Sequence, residues 1–79
     1  MKQGEFYCVI CLDDSKNVLR ALSDTGVTVS QFCELKGNLM AFVGYCDIDE
    51  YNSFVAGLSV QGVEYDQLSE WEADGEKSN

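Results

Sequence analysis

The residues of this 79-residue chain with chemistry to offer are its carboxylates and its thiols. Histidine is absent, so no Ser–His or Cys–His pair can form and the commonest general base is missing. No glycine-rich phosphate loop is present either. Acids pair at Asp13-Asp14 and in Asp47-x-Asp49-Glu50. Both groups stand where a helical pattern begins, where acids cap free N–H groups and complement the helix dipole. A weak divalent-cation site is the alternative. The cysteines are Cys8, Cys11, Cys33 and Cys46, and the Cys8-x-x-Cys11 spacing suits zinc. A zinc knuckle needs a turn around the pair, whereas Val9-Ile10 lies inside a strand-like run, and strand residues three apart point to opposite faces, ~10 Å apart. Reduced core thiols are therefore expected, ahead of a disulfide or a metal. These residues predict no enzyme, no cofactor and no metal.

Charge is the strongest compositional signal: fourteen acids against five bases give a net −9. It is concentrated in residues 47–79, which hold nine acids against Lys77 alone, while residues 1–46 are nearly balanced. Such a field repels DNA, RNA and anionic membranes and attracts basic protein surfaces. A merely solubilising surface is the plainer reading. If residues 63–72 are extended, Glu64, Asp66, Glu70 and Glu72 fall on one face, with Val63, Tyr65 and Trp71 on the other. Acids ~6.8 Å apart along such a strand imitate a nucleic-acid backbone to a phosphate-binding protein. Edge protection needs only one or two charges, so the excess favours a partner. The expected partner-binding residues are Glu64, Asp66, Glu70, Glu72, Asp47, Asp49 and Glu50, with Trp71 as an anchor if its ring is partly exposed.

The elements that would position these residues follow from hydrophobic periodicity. Residues 6–12 form an apolar run, predicting a strand buried on both faces. Asp14 and Ser15 can cap a helix over 16–24, whose Val18, Leu19, Ala21 and Leu22 form an apolar face stopped by Gly26. Residues 27–35 alternate as an edge strand would, and Lys36-Gly37-Asn38 turns the chain into a second doubly apolar strand, 39–46. Asp47 and Glu50 form a capping-box start to a helix that buries Tyr51, Phe54, Val55 and Leu58 and ends near Gly62. Residues 63–71 supply the last, edge strand. The order βαββαβ predicts an α+β ferredoxin-like sandwich, a four-stranded antiparallel sheet with two helices on one face. Residues 1–72 make one domain and 73–79 a frayed tail. The apolar run at 6–12 is too short to span a membrane and lacks a signal cleavage site, so a cytoplasmic protein is expected. The two central strands are apolar at both parities. One set, either Tyr7, Val9 and Cys11 with their neighbours or the opposite parity, must therefore face outwards, which predicts a homodimer through the open sheet face.

The stretch DDSKNVLRALSDTGVTVSQF followed by GNLMAFVGYCDIDE resembles the PII-like and ACT-like regulatory domains. These place a helix, a glycine and a strand, then a Gly-Asn turn and a strand ending in Val-Gly. The likeness covers about half the chain. It implies the same fold, and a module sensing a nucleotide or amino acid between subunits. Two departures are plain: the long nucleotide-gripping loop of PII-like proteins is reduced to residues 34–38, and the Pro-Gly of many ACT ligand sites is replaced by Asp14-Ser15-Lys16. By size and charge alone the chain also resembles small acidic inhibitors encoded by phages, such as anti-CRISPR and DNA-mimic proteins. On that resemblance it would block the basic, nucleic-acid-binding surface of a partner protein, with no direct binding of nucleic acid or membrane.

Overall fold

In the computed structural model, which describes residues 2–75, the apolar segments become β1 (Gly4–Cys11), β2 (Thr28–Leu35) and β3 (Leu39–Cys46). The helices are α1 (Ser15–Thr25), entered through a 3-10 turn at Leu12–Asp14, and α2 (Ile48–Val60). Of the expected last strand, 63–71, only β4 (Tyr65–Leu68) is a strand; β5 (Glu72–Ala73) follows it. Ala73, expected to open a frayed tail, is buried and paired with Gly4, while 76–79 of that tail lie outside the described residues. The sheet runs β2-β3-β1-β4, with β5 also on β1, and every pairing is antiparallel. The ferredoxin-like order is thus confirmed, with β1 and β3 central and β2 and β4 at the edges.

Local chemistry explains the boundaries. Gly26 ends α1 in the left-handed region (φ 79°), its N–H bonded to the Leu22 carbonyl at 3.0 Å. Asp47 and Glu50 close a reciprocal capping box at α2, Glu50 N–H to Asp47 Oδ1 at 2.8 Å and Asp47 N–H to Glu50 Oε1 at 3.0 Å. The cap expected for α1 does not form: Asp14 leaves the 3-10 turn at φ −93° and ψ 5°, without the extended backbone of a capping residue, and its side chain accepts no capping bond.

Alternation along β1 and β3 sends Phe6, Cys8, Ile10, Met40, Phe42 and Cys46 beneath the helices, where they meet Val18, Ala21, Leu22, Phe54 and Leu58. Phe6 is the hub, with ring centroids 5.0 Å from Tyr51, 5.5 Å from Phe54 and 6.1 Å from Phe42. Gly44 is required opposite it, because a β-carbon there would overlap the Phe6 ring. The two helices approach through small residues, Gly57 facing Ala21.

Three expectations are corrected. Leu19 was assigned to the apolar face of α1 but stands 58% exposed, since Val18, Ala21 and Leu22 alone complete the contact with the core. Cys33 is not a core thiol; it is exposed on the edge strand β2, although all four cysteines are free and Cys8 and Cys46 are buried. Of the two parities left open by the sequence, the open sheet face carries Tyr7, Val9 and Cys11 opposite Val43, Ala41 and Leu39, but it is less apolar to water than expected. Val9 and Ala41 are buried even without a helix above them, shielded by the side chains around them on the sheet. Tyr7 and Leu35 remain the large exposed apolar groups there. No described helix is long and apolar enough to cross a membrane.

Candidate ligand groove and acidic surface

The most apolar depression lies between α1 and the edge strand β2, about 310 Å³ in volume. It is lined by Leu12, Ser15, Leu19, Leu22, Val29, Phe32, Met40 and Phe42. Its floor is core (Leu22, Met40, Phe42), and its rim is Leu19, Val29 and Phe32, which stay in water. Val29 and Phe32 are three apart yet share the helix-side face, opposite Gly44 and Phe42, because an extra residue, Ser30, bulges between them. Without that bulge Phe32 would point to the other side. No residue of β2 is buried, so the whole strand offers one unpaired edge beside the groove.

Sequence reasoning missed this groove. The signal was the pattern Val27, Val29, Phe32, in which strict alternation slips after Ser30. A slip in parity on an edge strand is the trace a bulge leaves.

The acidic residues do not form the predicted ladder. Between β1 and the last strand the pairing slips twice: Gly4 faces Ala73 and Glu5 faces Glu72, Cys8 faces Leu68 and Val9 faces Gln67, then Ile10 faces Tyr65. Asp66 is the extra residue at the second slip, and every one-residue slip exchanges faces. The first slip is held by Ser69 and Trp71. Ser69 takes the Tyr7 N–H on its hydroxyl at 2.7 Å and gives its own N–H to the Tyr7 carbonyl at 2.8 Å. The Trp71 indole N–H is bonded to the Cys46 carbonyl at 3.0 Å, and its ring lies so close to Gly4 that a β-carbon there would overlap it. Trp71 is a half-buried pin of the fold rather than a free anchor.

The predicted residues therefore separate into three places. Glu70 and Glu72 border a depression on the open sheet face with Glu5, Tyr7 and Ser69. Close by, Tyr45 donates its hydroxyl to Asp74 at 2.6 Å, and that bond raises the phenol above its ordinary pKa. Glu64 borders a different groove, beside α2. Asp47, Asp49 and Glu50 sit in the first turn of α2, two of them committed to the capping box and Asp49 exposed. Among the described residues no group of three or more Cys, Asp or Glu is placed to hold a metal ion.

An α+β sandwich of two helices on one side of an antiparallel sheet is a ferredoxin-like fold, here with an apolar groove at its edge. Among solved structures the chain is similar to the ligand-free regulatory subunit of aspartate kinase from Thermus thermophilus, at a TM-score of 0.52 and 16% identity. The match covers 85% of this chain and 50% of that one, so the chain spans about half the length of this neighbour. At that identity the likeness is one of fold. No family model matches the sequence, and no curated protein matches it. Of the two resemblances read from the sequence, the first is supported in its fold and the phage-inhibitor one gains no support.

Proposed function

We propose that this chain is a non-enzymatic regulatory module that senses a small metabolite in the groove between α1 and β2. The observation that carries the reading is the groove itself, apolar on nearly every side, with Leu19 and Phe32 more than half exposed beside an unpaired strand. Large apolar groups left in water at a concave site are the usual mark of a binding surface. A fold shared with an enzyme's regulatory subunit supports the same reading.

The ligand class follows from charge. A chain of net −9 repels phosphates, and the loop that would grip a nucleotide is only residues 34–38 long. An amino acid with an apolar side chain suits the groove better than a nucleotide. Two copies meeting along β2 would close the groove and place the ligand between subunits. Residues 12–36 favour such a meeting, holding four acids and three bases, whereas residues 47–75 hold eight acids and no base. This relocates the expected homodimer from the open sheet face to the β2 edge.

Calorimetry against the twenty amino acids, AMP and ATP tests the reading. At least one apolar amino acid should bind, and Phe32→Ser should weaken it about tenfold or more, because the exposed ring is lost without disturbing the core. Silence from all amino acids at millimolar concentration, or nucleotide binding untouched by Phe32→Ser, would refute it.

A further inference from the structure

On the opposite side of the molecule α2 and β4 leave a second groove of about 550 Å³, lined by Val55, Leu58, Ser59, Val63, Glu64 and Tyr65. Leu58 and Val63 are buried and form its floor, joined by the hydrogen bond from the Val63 N–H to the Leu58 carbonyl at 2.9 Å. Tyr65 stands 47% exposed on one wall, and the last residue of α2, Val60, is 85% exposed. Gly62 (φ 72°) makes the turn between the helix and the strand, and a side chain there would meet nothing within 4 Å. The neighbouring β4 is the other sheet edge, with no strand beyond it.

We infer that this groove docks a segment of a partner protein that presents an apolar side chain flanked by lysine or arginine. The apolar floor and the exposed phenol call for an apolar anchor with a cation over the ring. The choice of occupant comes from charge. Glu64 is on the rim, Asp66 is the next acid along the chain, and no described residue after Lys36 is basic. A second copy of the chain would bring this same acidic surface against itself and be repelled, and an anionic metabolite would be repelled as well. A basic segment is drawn in. This surface is separate from the α1–β2 groove, so either proposal can fail without the other. It also gives Glu64 a setting that the predicted ladder does not.

The experiment is a selection from a random twelve-residue peptide library on the immobilised chain, with binding of the enriched peptides then measured by fluorescence anisotropy. The enriched peptides should carry an apolar residue between basic ones. Their affinity should fall about tenfold or more between roughly 0.05 and 0.3 M salt, as expected for pairing of exposed charges. The double variant Glu64→Lys/Tyr65→Ser should lose about tenfold or more, while Glu34→Lys, on the far edge, should change little. Circular dichroism confirms that both variants fold; both alter only exposed side chains. Failure to enrich any peptide, enrichment of neutral or acidic peptides, or equal losses in both variants would overturn the proposal. So would a concentration-dependent dimer abolished by Tyr65→Ser, which would make a second copy the occupant.

Discussion

Cys8 and Cys46 are closed off by the fold in a way that Cys33 is not. Burial pushes the Cys8 thiol up to about 12. Burial, together with the charges of Glu50 and Asp47, pushes Cys46 up to about 11. In the folded protein at pH 8 a disulfide-exchange reagent should titrate Cys33 quickly, Cys11 slowly, and Cys8 and Cys46 only after unfolding. Rapid labelling of all four would contradict the buried positions. A thiol whose pKa is raised by folding stabilises the fold while it stays protonated in both states. That contribution is whole below the unfolded value near 9 and is lost as pH climbs towards 11–12. Urea midpoints should therefore decline above about pH 9, and Cys8→Ala should flatten the decline even though it lowers stability at neutral pH. The sequence pointed to reduced core thiols. It misplaced Cys33, because composition says only that a cysteine suits a core, and the exposure of β2 depends on which helix covers which strand.

The secondary-structure elements were legible wherever one local rule dominated. β3 spans the predicted 39–46, bounded by the turn residues before it and the Asp47 cap after it. The capping box was visible as Asp47 and Glu50 three apart, and Asp47→Ala should cost ~0.5–2 kcal/mol in a denaturant titration. A loss much below that range would show that the box carries little of the helix. Gly44→Ala should cost ~1–3 kcal/mol, since Phe6 is wedged among Tyr51, Phe42 and Phe54 and has little room to move aside. The last strand was not legible. Its break depends on the Ser69 hydroxyl reaching Tyr7 and the Trp71 indole reaching Cys46, contacts 62 and 25 residues distant in sequence. Periodicity sees neighbours two to four residues away, so it extended the strand through Ser69–Trp71 and drew a ladder that the slips in register dissolve. The same blindness hid the α1–β2 groove, which required the Ser30 bulge.

Over the whole molecule the charge is unevenly held, and the fold gathers part of the excess. Glu5 faces Glu72 directly across two strands, and like charges so placed oppose folding. Net self-repulsion of this kind is screened by salt. Raising sodium chloride from roughly 0.05 to 0.5 M should therefore raise the melting temperature, by ~4–8 °C for each kcal/mol of repulsion removed from a domain of this size. A flat response would mean that the acids are spaced widely enough to ignore one another. The asymmetry of charge between the two halves was plain from the sequence. The separation of Glu64 from Glu70 and Glu72 was not, because it follows from the register of β4 and β5.

The position of β1 has a consequence for how the protein is made. Of the described strands β1 leaves the ribosome first, yet one of its edges pairs with β3 and the other waits for β4 and β5, which clasp it at Cys8–Ile10 and Gly4–Glu5. Until Ala73 has emerged, half of the hydrogen-bonding capacity of the sheet's central strand is unmet, beside Phe6, Cys8 and Ile10. Folding cannot proceed vectorially, strand after strand; the sheet is completed only when the last strand returns to the first. During synthesis the growing chain must keep that apolar edge from other chains, and its unusual density of carboxylates lies largely in residues 47–79, which follow β1 and β3.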